Sequence, residues 1–159
     1  MSADAREHPE ALRLLKRVLR ARPAQANTLY LVANVLWNQR QFARATELYR
    51  FAACLDDKKE HLARAYFTAT RFLKQTDTAL AFLADRFRRF GKRSGEPAMT
   101  LFWAHSQMDQ MTAAFLVLES AVQLRMVRVD QGSIIIRGRT SDGDSSRAAA
   151  LPIVKPVGN

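Results

Sequence analysis

The residues of this chain that could do covalent or metal chemistry are few and scattered. Its three histidines, His8, His61 and His105, stand far apart, whereas a helical zinc site needs two of them at i and i+4. Each is expected in an ordinary surface or packing role. Asp56 and Asp57 are adjacent at the end of a helical pattern, where carboxylates turn the chain more readily than they form an acid–base dyad. Ser106 follows His105, but a nucleophilic triad is assembled in space and not from chain neighbours. DGD at 142–144 lacks the further ligands of a calcium loop, and no glycine-rich phosphate loop occurs. The single Cys54 cannot close an internal disulfide, which suits a reducing compartment, and it reads as a small buried helix residue. The sequence therefore points to no catalytic residue, no metal and no cofactor. A different set does share a face. Asn27, Tyr30, Asn34, Trp37 and Asn38 recur at three- and four-residue steps, one stripe of a helix. Asparagine amides hydrogen-bond a peptide backbone, and aromatic rings give large contact area at low entropy cost. The chemistry of that stripe is recognition.

The elements that would carry the stripe follow from the bulk numbers and the periodicity. With 159 residues, 48% hydrophobic and six glycines, most of the chain is expected to fold around a continuous core. MSADAREHPE is polar, so no secretory signal is expected, and no apolar run reaches the ~18 residues of a membrane span. The cytoplasm is the expected compartment. The net charge of +10 invites a nucleic-acid or acidic partner. Two basic clusters carry it: Arg13, Lys16, Arg17, Arg20 and Arg22, and Arg86, Arg88, Arg89, Lys92 and Arg93. The first alternates with Leu12, Leu14, Leu15, Val18 and Leu19, as on the solvated side of an amphipathic helix.

Self-similarity organises the rest. Ala11, Ala45, Ala79 and Ala114 follow one another at 34, 34 and 35 residues. Four residues beyond each comes Leu15, Tyr49, Leu83 or Leu118, and seven beyond comes Val18, Ala52, Arg86 or Ala121. Pro23, Asp57 and Gly91, twelve beyond the first three alanines, end helices or turn the chain. Within one period Leu29, Val32, Ala33 and Leu36 make one apolar helix face, and Phe42 to Leu55 a second helix after a link near Gln41. So short a link makes the two helices antiparallel neighbours. Methyl-sized Ala33 and Ala45 then fall where they cross, and Ala52 admits the next hairpin. The periodicity predicts seven helices, near 8–22, 26–39, 42–55, 60–75, 78–90, 97–109 and 112–127, with Pro97 in a first turn and 91–97 as a loop.

These residues resemble the tetratricopeptide repeat, W-x2-L-G-x2-Y, then A-x3-F, then P. Leu29, Val32, Ala33 and Leu36 take the first four slots, Ala45 and Tyr49 supply A-x3-F, and Asp57 stands in the proline slot. Ala11, Leu15 and Pro23 match the second half of a preceding repeat. In the later repeats the small first-helix residue is read as Ala69 and Ala104, with a shortened link; the alternative gives that slot to Phe67. The resemblance covers about residues 8–125, three and a half repeats. It implies an all-α, right-handed α-solenoid of stacked antiparallel hairpins over residues 1–128. It also implies that first helices line a concave groove for an extended peptide or a helix. Asn34 then matches a groove asparagine of the peptide-clamping members. Arg71 and Lys74 extend the groove with positive charge, and His105 lies further along it. The several basic residues of a clamp for terminal carboxylates cannot be assembled.

The ends break the pattern. Residues 1–7 are too few for a partner to the first helix, and no solvating helix follows Arg125, although solenoid ends need polar outer faces. Residues 129–159 are expected as a non-repeat, largely disordered tail, with SIIIR at 133–137 as an isolated strand and 139–146 polar. A fragment of a longer array is one expectation; a tail folded back as a cap is the other. Self-association through uncapped ends follows from the first. The function expected is a non-enzymatic scaffold holding a protein or peptide, with an acidic segment favoured by charge. Alternatives are an RNA-binding helical repeat, disfavoured because no base-reading pair recurs, the repeat portion of a larger enzyme, and a small secretion-type chaperone.

Overall fold

The computed structural model describes residues 25–130, 133–140 and 143–150, together with Arg13, Arg17, Arg20 and Ala21. Those four are helical and exposed, as a solvated helix side requires. The rest of the first expected helix, with His8, Ala11, Leu15 and Pro23, lies outside the described residues. Six helices follow among those described: α1 (Ala26–Asn38), α2 (Phe42–Leu55), α3 (Glu60–Phe72), α4 (Thr76–Phe90), α5 (Glu96–Gln107) and α6 (Met111–Gln123). Three strands complete them: β1 (Val127–Asp130), β2 (Ser133–Thr140) and β3 (Gly143–Ala150). The helices are consecutive antiparallel hairpins of the solenoid type. The chain divides into two compact units, Met1–Phe82 and Leu83–Asn159.

The recurring alanines do what their size suggests. Ala33, Ala45, Ala52, Ala79, Ala114 and Ala121 are all 0% exposed, because helix axes can close to 8–10 Å only where no larger side chain intervenes. In the first unit α1 packs on α2 and α2 on α3. Ala26, Ala52, Ala53 and Leu62 form the core there, flanked by Leu29, Tyr30 and Phe82. Cys54 is exposed and not buried. The buried face of α2 is Ala45, Thr46, Tyr49, Ala52 and Ala53, and the next position along a helix turns about 100° away from it.

The hairpin links correct the expected register. Arg40, Lys74 and Asp109 all adopt left-handed backbone, with φ of 61°, 57° and 56°. Each ends a first helix the same way. The amide of Arg40 donates to Trp37 and that of Gln41 to Leu36, and Lys74–Arg71 with Gln75–Thr70, and Asp109–Ser106 with Gln110–His105, repeat the pair. This is the Schellman closure, in which two amides return to carbonyls of the last turn. The links are therefore equal, at 39–41, 73–75 and 108–110, and no shortening occurs. Counting seven back from each left-handed residue gives Ala33, Phe67 and Phe102, all buried. Phe67 and Phe102 hold the slot assigned to Ala69 and Ala104, which sit two residues later and are also buried.

After α6 the same closure recurs at Arg125 (φ 57°), which stops the helix short of residue 127. The chain then forms an antiparallel sheet in the order β1-β2-β3. Val127 pairs with Ile136 and Asp130 with Ser133, while Ser133 pairs with Ala150 and Thr140 with Gly143. SIIIR is thus the middle of a sheet and not an isolated strand, and 143–146 belong to β3. The reason is alternation. Ile134 and Ile136 point to one face of β2 and, with Val127, bury against Ala98, Met99, Phe102, Ala114, Leu118 and Ala121 of the last hairpin. Burying each such side chain contributes roughly 1.5–3 kcal/mol. The amide of Gly95 donates to Arg137 and that of Arg137 to Met126, both at 2.8 Å. A Cβ on Gly95 would lie 2.5 Å from the Met126 carbonyl and 2.9 Å from Ile136, so only glycine lets the strand come this close. In the first unit Ala52 meets Leu62 of the next hairpin; its counterpart Ala121 meets the isoleucines of β2. The sheet occupies the face on which another hairpin would stack.

Candidate functional site

The α1 stripe opens into a hollow of about 270 Å³ lined by Tyr30, Asn34, Trp37, Tyr49, Ala65, Thr68 and Ala69. One wall is α1, the other is α3, and Tyr49 of α2 lies between. The α3 wall is low because Ala65 and Ala69 carry only methyl groups. The Tyr49 hydroxyl donates to Asn34 Oδ1 at 2.7 Å. Burial, and next the neighbouring Tyr30, push the Tyr49 hydroxyl up to about 12, so it stays protonated and remains the donor. Asn34 thereby has its carbonyl oxygen engaged by Tyr49, and an asparagine amide also carries two N–H donors.

Rings continue the surface in both directions. Tyr30 packs at 5.8 Å from Tyr49 and edge-on at 5.5 Å from His61. Trp37 lies 6.3 Å from Tyr49, 4.8 Å from Phe42 and 5.1 Å from Phe72. These are the tilted and edge-to-face geometries that aromatic quadrupoles favour, which stiffens the ridge. Phe72 nonetheless remains 58% exposed.

Of the residues expected at the groove, the structure brings Tyr30, Asn34 and Trp37 together in the hollow. Asn27 lies one turn earlier on α1, exposed, where its Oδ1 accepts from Lys59 Nζ at 3.3 Å. Asn38 is exposed at the end of α1. Arg71 is in the last turn of α3, exposed, at the position equivalent to Trp37. Lys74 is in the link after α3 and not on the helix. His105 belongs to the second unit, at the position equivalent to Leu36; its Nδ1 lies 2.8 Å from Gln110 Oε1 across a hairpin link. Tyr49, Ala65, Thr68 and Ala69 line the hollow without belonging to the expected groove set. The signal for Tyr49 was a tyrosine in the phenylalanine slot, since a buried phenol needs a partner for its hydroxyl.

The other chemically suggestive residues have structural work. Asp56 accepts from the Lys58 amide at 3.3 Å and pairs with Lys59, as a turn residue does. Within the second basic cluster Arg86 is 1% exposed, whereas Arg88 and Arg89 both pair with Asp85. The Arg88 hydrogen bond leads in holding that carboxyl below its ordinary range. A second hollow, about 290 Å³, is lined in the second unit by Phe87, Arg88, Lys92, Ser120, Gln123 and Leu124. Among the described residues no three His, Cys, Asp or Glu side chains are grouped as metal ligands, and no helix is long and apolar enough to cross a membrane.

Comparison with known proteins gives structural likeness alone. No protein-family pattern matches the sequence, and no curated protein does. Among solved structures, MamA MSR-1 is similar with a TM-score of 0.46 and 14% identity over 75% of this chain and 68% of that one. MamA AMB-1 gives a TM-score of 0.44 and 16% identity over 71% of this chain and 66% of that one.

Proposed function

We propose that this chain is a non-enzymatic interaction scaffold whose α1–α3 hollow holds an extended segment of another protein. One observation supports this reading above the rest. Tyr30, Asn34 and Trp37, three members of one helix stripe, line a single hollow with Tyr49 and a low wall of small residues. Rings in such a hollow supply desolvated contact area, and the Asn34 amide can hydrogen-bond a bound backbone. The net charge of +10 favours acidic segments in the encounter more than in the final affinity. The chemistry of the hollow includes no nucleophile–base pair, and its amide and hydroxyl suit binding.

The experiment compares proteins captured by the wild type and by the Tyr30→Ala/Asn34→Ala/Trp37→Ala variant, each checked for helicity by circular dichroism. Wild-type capture of a defined set, lost in the folded variant, is the expected result. Equal capture by the two abandons the assignment. An RNA-binding function predicts instead that capture survives the variant and falls steeply with salt.

A further inference from the structure

The hollow of the second unit, between α4 and α6, carries charge that the lining of the α1–α3 hollow lacks. We propose that it is a separate docking site for a short acidic segment of a partner protein, in which a carboxylate side chain stands next to a large apolar one.

Its lining divides by character. Phe87 and Leu124 are apolar and half-buried, whereas Arg88, Lys92, Ser120 and Gln123 are polar and exposed. Phe87 also packs against the core that the last hairpin shares with the sheet. Its ring lies so close to the chain at Gly91 that a Cβ there would come within 2.5 Å of Cδ2 and Cε2. A side chain at 91 would displace the ring, so glycine at this position sets the apolar part of the hollow.

Charge selects the sign of the occupant. Of the four polar lining residues two are cations and none is an acid. Arg88 shares the Asp85 carboxylate with Arg89, and a guanidinium carries five N–H donors, so donors are left over. Lys92, just past the end of α4, enters no ion pair among the described residues. Glu119 precedes Ser120 on α6 but does not belong to the lining. The backbone does not reverse this balance. Both helices end here, and a helix C-terminus is the negative end of its dipole. Yet the Phe87 and Phe90 carbonyls accept from Gly91, Arg93 and Ser94, and those of Ser120, Ala121 and Val122 accept from Leu124, Met126 and Arg125. With these carbonyls engaged by amides, the cationic side chains dominate.

Size selects a protein segment over a free small molecule. At about 290 Å³ the hollow falls at the lower limit of the ~300–1,000 Å³ that buries a small ligand. It is still nearly twice the ~150 Å³ that admits benzene, so one large apolar side chain fits against Phe87 and Leu124. A neighbouring carboxylate on the same segment then meets Lys92 or Arg88 in a charge-assisted hydrogen bond.

Titration calorimetry of the full chain with acetyl-Gly-Glu-Leu-Gly-Glu-Leu-Gly-amide tests this, with the glutamine and lysine counterparts as comparisons. The glutamate peptide is expected to bind, and the other two about tenfold more weakly or not at all. Lys92→Gln, which leaves Arg88 and Asp85 untouched, is expected to weaken the glutamate peptide several-fold, and Arg88→Gln/Lys92→Gln about tenfold. Ser120→Phe, which fills the hollow without changing charge, is expected to weaken it as much. Arg44→Gln/Arg50→Gln on α2 removes equal charge outside this lining and is expected to change little. Each variant is checked for helicity, and Lys92→Gln carries the test should another lose it. Absence of binding, equal weakening by the two double variants, or undiminished binding by folded Ser120→Phe overturns the proposal. So does loss of binding in Tyr30→Ala/Asn34→Ala/Trp37→Ala, which assigns the peptide to the α1–α3 hollow. If oligouridylate binds in a Lys92-dependent way and the glutamate peptide does not, the site takes nucleic acid and the proposal fails.

Discussion

A phenol ties the stripe on α1 to the neighbouring helix. Tyr49 reaches from α2 and donates its hydroxyl to Asn34 Oδ1 at 2.7 Å. Removing the hydroxyl should cost the ordinary worth of such a bond, about 0.5–1.5 kcal/mol, seen as a lower urea midpoint for Tyr49→Phe. It should also change the alkaline limb of stability. The Tyr49 hydroxyl titrates at about 12 in the fold against 10.0 for an exposed tyrosine. Between those values the native state binds more protons than the unfolded chain, so stability falls as pH rises. The contribution is complete below about pH 10 and is lost toward pH 12. Urea unfolding at pH 9 and pH 11 should therefore show a smaller loss in Tyr49→Phe than in the wild type. Equal losses would show that Tyr49 is not held protonated. At this scale the sequence displayed Tyr30, Asn34 and Trp37, because helical spacing alone puts them on one face. It hid the α3 wall, since Ala65 and Thr68 carry no signal until another helix lies opposite.

Hairpins rather than helices are the working element, and their links carry a cost. Arg40, Lys74 and Asp109 occupy left-handed backbone, which disfavours residues with a Cβ by roughly 1–2 kcal/mol. Lys74→Gly should relieve part of this and raise stability by about 0.5 kcal/mol, a gain net of glycine's larger unfolded-state entropy. A urea series would detect it, and a fall in midpoint would mean that the Lys74 side chain matters more than its backbone. The same residues explain the misplaced boundaries. A helix stop is legible when glycine or asparagine sits at that position, and here arginine, lysine and aspartate do. The spacing of Ala45, Ala79 and Ala114 is legible because burial at a helix crossing tolerates nothing larger. The slots of Phe67 and Phe102 were misread because a short link was assumed where three equal ones exist. Gln41, Gln75 and Gln110, each directly after a left-handed residue, repeat at 34 and 35 and marked the true register.

For the molecule as a whole, the sheet changes what the repeats end in. β1 and β2 cover Ala121 and Leu118 with Val127, Ile134 and Ile136, so the stacking face of the last hairpin is occupied. A charge placed there has no compensating partner among those apolar side chains. Ile134→Asp should cost more than about 3 kcal/mol, and hydrogen exchange should then deprotect β2 together with α5 and α6. Loss of protection in β2 alone would show that the sheet does not support the hairpin. By itself the sequence determined the hairpin repeat, the alanines at its crossings and the helix face that Tyr30, Asn34 and Trp37 share. Each of these depends on contacts a few residues apart or on one recurring size constraint. Only the tertiary structure decided the wall opposite the stripe, the hydrogen bond between Tyr49 and Asn34 and the pairing of β1, β2 and β3. Those depend on segments distant in the chain, and no local propensity encodes which of them will meet.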